Sequence, residues 1–193
     1  MSKYTTPRFS LALLHPKYWG VLCIFAFSYL CSLLPYALQI RLGKLLGRTA
    51  LRFMKRRTNT IRRNLELCFP EMSVAEREQL IKQNIENTGL ALFETGMAWF
   101  WSDARVAKHT KIVGMEHVKK LKAEGRGALL IAVHSLNLEL SGRAFGLFAQ
   151  GMAVYRPNNN PCFDYFQLKG RSRGGHSLIH RKASNVFPVP GGP

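Results

Sequence analysis

The residues best placed to do chemistry are His134 and Glu139, in the run Val133-His134-Ser135-Leu136-Asn137-Leu138-Glu139. An imidazole can take the proton from a hydroxyl, while a carboxylate fixes its tautomer and stabilises the imidazolium. Such a pair needs no Ser or Cys nucleophile, because an acceptor alcohol attacks an acyl donor directly. On one continuous helix a five-residue separation would turn the two side chains about 140° apart. The pairing therefore requires His134 in a turn and Glu139 in the helix that follows. Spacing alone does not separate this base from a structural histidine at a strand end.

The surrounding pattern predicts elements that would hold the pair. Ala128 to Val133, ALLIAV, is a continuous apolar run of the kind that forms a buried strand. Leu136 to Phe148 predicts the helix after it. Thr110 to Val113 and Met152 to Tyr155 predict further strands, and Met115 to Ala123 a helix closed by Gly125. Upstream, Ser73 and Glu76 form a capping box that opens a helix reaching to about Trp101. Its apolar second half, with Met97, Trp99 and Trp101, reads as core. The alternation indicates an α/β layer architecture. The four cysteines, Cys23, Cys31, Cys68 and Cys162, form no CxxC pair. Free thiols in a reduced compartment, with no metal and no cofactor, are expected.

Tyr18 to Leu38 is an uncharged run of 21 residues. As one helix it could cross a hydrocarbon core of roughly 30 Å. Pro35 is expected to kink or end it. A buried core helix, a cleaved signal and a helix lying in the interface are the competing readings. Downstream basic residues outnumber upstream ones, which places the downstream side in the cytoplasm. Arg41 to Arg57 reads as a basic amphipathic helix, with Arg41, Lys44, Arg48, Arg52 and Lys55 on one stripe that would rest on anionic lipid.

Charge is lopsided, with 28 Lys plus Arg against 11 Asp plus Glu, or +17. No acidic residue precedes Glu66, although twelve basic residues do. The partner is expected to be polyanionic. A nucleic-acid-binding protein would explain the charge, but no zinc, RNP or KH signature is present and the apolar run is left over. A membrane-anchored structural protein would explain the run but not the chemistry-bearing segments.

Those segments carry a family resemblance. ALLIAVHSLNLELSGRAFG, AVYRPNNNP and FQLKGRSRGGHSLIHRK, in that order, resemble the late acyltransferases of lipid A biosynthesis, the lauroyl, palmitoleoyl and myristoyl transferases. HPKYWG and RRNLELCFPEMS resemble their N-terminal region. The resemblance implies His134 as base and Glu139 as its partner in an His-x4-Asp/Glu motif. Arg156 and Arg171 would bind substrate phosphate or polarise a thioester. The implied donor is an acyl chain on acyl carrier protein, and the acceptor a Kdo-bearing lipid IVA at the cytoplasmic face of the bacterial inner membrane. No nucleic acid is expected. GRSRGGHS leans toward the palmitoleoyl type. Ser135 stands where the family carries an aromatic residue.

The implied organisation is an N-terminal segment (1–17), a membrane helix (18–40), an acyltransferase domain (41–185) with an incomplete mixed sheet, and an irregular tail (186–193). The tail VFPVPGGP does not resemble the family. A frameshift or premature stop would produce that pattern, so a C-terminal truncation is expected, and with it little turnover.

Overall fold

The computed structural model describes residues 8–51 and 53–181. Two short 3-10 turns, Leu11–Leu14 and Pro16–Tyr18, lead into α1 (Trp19–Leu33), α2 (Tyr36–Leu51), α3 (Lys55–Cys68) and α4 (Val74–Phe100). There follow α5 (Asp103–His109), α6 (Met115–Ala123), α7 (Leu138–Gly146), β1 (Met152–Tyr155), α8 (Pro161–Ser172) and β2 (Ser177–His180). The chain forms two compact units: Ser28–Gly96, and Met1–Phe27 with Met97–Pro193.

The expected single membrane helix is two helices. Pro35 lacks an N–H and its ring clashes with the preceding turn. So α1 stops at Leu33 and α2 starts at Tyr36. The break leaves carbonyls without helical partners, and Gln39 meets them. Its buried side-chain amide donates to Ser32 O at 3.1 Å and Leu34 O at 2.7 Å. At 15 residues α1 is about 22 Å long, short of a roughly 30 Å hydrocarbon core. Among the described residues no helix is long and apolar enough to cross a membrane. The basic helix expected over Arg41–Arg57 is likewise divided. Arg41, Lys44 and Arg48 lie on α2 and Lys55 opens α3. Arg52 lies outside the described residues, as does the tail 186–193.

Backbone contact joins α2 to α4. A Cβ on Gly89 would stand 2.7 Å from Gly47 Cα, and one on Gly43 would stand 2.8 Å from Leu90 Cα. Only residues without a side chain admit this approach. Ile81 and Ile85 are buried on α4. Arg48 reaches Glu86 at 2.8 Å, and Arg62 reaches Glu78 at 2.6 Å. Each arginine hydrogen bond lowers its partner's carboxyl below the ordinary value. At the start of α4 the Ser73 hydroxyl accepts from Glu76 N, and Glu76 accepts from Ser73 N at 2.9 Å, as the capping box requires. Glu94 is half-buried, and burial pushes its carboxyl above the ordinary value.

In the other unit β1 and β2 pair in parallel, Met152 opposite Ser177 and Tyr155 opposite His180. The chain between them contains α8, so this is a strand-helix-strand crossover. Tyr155, Leu168 and Leu178 form its core. The architecture is mostly helical with a small parallel sheet, consistent with α/β. Met115–Ala123 and Met152–Tyr155 take the expected forms. Thr110–Val113 and Ala128–Val133 are not strands. The second run is exposed, with Leu129 at 84% and Ile131 at 90%. A buried strand needs neighbours for its N–H and C=O groups. The two described strands pair only with each other.

Gly89→Val should lower unfolding stability by about 1–3 kcal/mol or more, through overpacking against α2, measured by urea denaturation. For Glu94 the folded value is raised, so its contribution is fully present below the unfolded pKa of about 4.3. That contribution is lost as pH rises through the folded value. Glu94→Gln should therefore gain melting temperature over the parent at pH 7 and little at pH 4, read by thermal melts at both.

Candidate active site

Glu139 lies in the first turn of α7, where a carboxylate meets the positive end of the helix dipole. Three N–H groups hold it. Arg171, in the last turn of α8, donates from Nε to Oε1 at 3.0 Å and Oε2 at 3.2 Å, and from Nη2 to Oε1. Trp99, near the end of α4, donates from its indole Nε1 to Oε2 at 2.9 Å. The Glu139 side chain is 19% exposed and that of Arg171 31%. This charged pair is thus largely withdrawn from water and satisfied by hydrogen bonds, as such burial demands.

Each donor is itself fixed. Asn160 caps α8 by accepting from Cys162 N at 3.0 Å and Phe163 N at 3.1 Å, with Pro161 at the first helical position. The NNNP segment therefore sets the start of the helix that carries Arg171. The indole of Trp99 packs on Gly170, where a Cβ would stand 2.6 Å from Trp99 Cδ1. Phe25 stacks on Trp99 at 5.7 Å and on Phe166 at 4.3 Å between ring centroids. Arg173 donates to Trp99 O and Trp101 O, both at 3.1 Å, meeting carbonyls at the α4 C-terminus. Arg143, buried on α7, donates to Arg173 O at 2.6 Å and pairs with Asp103.

The four residues singled out from sequence separate into two groups. Glu139 and Arg171 are brought together. His134 is exposed in the irregular segment before α7 and takes no part in the bonds around Glu139. Next to it, Ser135 Oγ donates to Asn137 Oδ1 at 2.7 Å. Arg156 is exposed just after β1 and lines a shallow cavity of about 220 Å³ with Pro157, Asn158 and Asn159. Sequence reasoning missed Trp99, Gly170, Arg143 and Arg173 as parts of the site. Trp99 reads as core on helical spacing. No local pattern couples Arg173 to carbonyls 74 and 72 residues away. Among the described residues no cluster of His, Cys, Asp and Glu could hold a metal ion.

Comparison with known proteins places the chain. Residues 6–187 match the family model for bacterial lipid A biosynthesis acyltransferases. The chain is 51% identical to a lipid A biosynthesis lauroyltransferase of Escherichia coli (strain K12) over 176 residues, 91% of this chain and 58% of that protein. It is 42% identical to the palmitoleoyltransferase of the same organism, over 90% of this chain and 57% of that one. A Haemophilus influenzae lipid A biosynthesis acyltransferase is 41% identical over 94% of this chain and 58% of its own length. No solved structure matches. Each of these relatives is an acyltransferase. The chain belongs to the bacterial lipid A biosynthesis acyltransferase family. It spans less than three fifths of the length of these relatives.

Gly170→Ala should displace the Trp99 indole, costing about 1–3 kcal/mol of stability through overpacking. A shifted tryptophan emission maximum together with a lower urea midpoint checks this.

Proposed function

We propose that this chain carries out acyl transfer in lipid A biosynthesis. The donor is a fatty acyl thioester of acyl carrier protein. The acceptor is the hydroxyl of a 3-hydroxyacyl chain on Kdo-bearing lipid IVA. His134 takes the hydroxyl proton as the oxygen attacks the thioester carbonyl; the carrier thiolate leaves and is then protonated. Glu139 is the partner that orients His134 and stabilises its cation. Arg156 and Arg171 engage substrate phosphate or the thioester oxygen. Residues 41–185 form the acyltransferase portion.

The observation that carries this reading is the clamped carboxylate of Glu139, five residues after an exposed histidine in the segment that leads into α7, in a chain of this family. Exposure leaves His134 accessible to a substrate hydroxyl. Arg171 uses Nε and Nη2 on Glu139, leaving Nη1 for an anionic oxygen. Arg156 is exposed and lines the same shallow cavity as Asn158 and Asn159.

The site works at the cytoplasmic face of the bacterial inner membrane, on anionic lipid. Ile24, Phe27, Leu30 and Leu33 are exposed on α1, and Arg41 is exposed on α2. An apolar helix surface with basic residues following it suits interfacial binding, without a span.

The test is transfer of a labelled acyl chain from carrier protein to the lipid A precursor. It uses this chain and a protein of its relatives' length bearing the same residues. His134→Ala and Glu139→Gln should each lower turnover by roughly 10²- to 10⁴-fold. Wild-type turnover in both variants would refute the assignment.

A further inference from the structure

We propose that Trp99 is a positioning residue for Glu139, and that its indole N–H fixes which way the carboxylate points. This rests on the reading of Glu139 as the partner of His134. An ionised carboxylate offers about four lone-pair sites. Arg171 contacts both oxygens from one side, through Nε and Nη2. A bidentate arginine alone can follow a carboxylate that swings, because both groups end flexible side chains. The Trp99 N–H, on Oε2 at 2.9 Å, supplies a second point of attachment from another helix.

Trp99 is suited to this because its ring is closely packed. It is 6% exposed, with Gly170 and Phe25 against its ring. Its own carbonyl accepts from Arg173 at 3.1 Å. Arg173 in turn offers its carbonyl to Arg143, which is 4% exposed and pairs with Asp103. The series Asp103, Arg143, Arg173, Trp99 thus ends on an oxygen of the candidate catalytic carboxylate. A buried indole N–H needs an acceptor, and a backbone carbonyl would satisfy it equally well. Here the acceptor is the one carboxylate the chemistry would use. Preorganised groups of this kind lower the cost of reaching the reactive geometry.

Trp99→Phe keeps the aromatic ring and deletes the N–H. The first readout needs no turnover. In the ¹H–¹⁵N spectrum of the protein, the indole resonance lost in Trp99→Phe should lie downfield and move upfield in Glu139→Gln. A resonance unmoved by Glu139→Gln overturns the proposal. The second readout is kinetic. Trp99→Phe should lower kcat roughly ten- to hundredfold, the loss expected for one hydrogen bond to a charged group, with KM unchanged. Wild-type kcat in Trp99→Phe alongside an inactive Glu139→Gln overturns the positioning role and leaves the catalytic reading standing. A fully active Glu139→Gln overturns the catalytic reading, and the role of Trp99 falls with it.

Discussion

Side chains from α7, α8 and the last residues of α4 meet at one carboxylate. Glu139 on α7 receives N–H groups from Arg171 on α8 and from Trp99 at the end of α4. A charge this far from water is tolerated only when its lone pairs are met. That requirement sets the neighbours. Gly170 must be small so that Trp99 can lie flat on α8. Arg173 must reach back to the α4 carbonyls, and Arg143 must support Arg173. The arrangement is thus a set of mutually dependent polar contacts inside an aromatic wall of Phe25, Phe163 and Phe166. Loss of Asp103 would leave the buried Arg143 guanidinium without its carboxylate, and stranding a buried charged group costs more than the bond itself contributes.

The 28–96 unit is held by a different means. Its helices approach through glycine backbone, with Gly43 and Gly47 on α2 facing Gly89 on α4. Dispersion at such short range gains from many atoms at once. The cost falls on tolerance, since a single methyl group meets backbone atoms, which do not yield. Gln39 supplies the polar counterpart. One buried amide answers two carbonyls freed by Pro35, so a break in an apolar helix becomes a defined turn.

That turn alters the meaning of the N-terminal composition. Uncharged residues from Tyr18 to Leu38 satisfy the length condition for a spanning helix only if they stay in one helix. Divided at Leu34 and Pro35, they form a 15-residue helix and the beginning of a second. The exposed apolar side chains of α1 remain.

Local chemistry was readable from order alone. Ser73 and Glu76 lie within one turn, so their reciprocal bonds depend on no distant residue. Met115–Ala123 and Met152–Tyr155 carry their periodicity within a few residues, and Glu139 was placed in a helix by the same means. The family, too, was legible in ordered segments. The contacts around the site were not. Glu139 meets Arg171 across 32 residues and Trp99 across 40, and no spacing rule reaches that far. The apolar run 128–133 shows the same limit from the other side. Its composition suits a buried strand, but burial and pairing are supplied by neighbours, and no described strand lies against it. Composition states what a segment can bury; packing against remote segments settles whether it does.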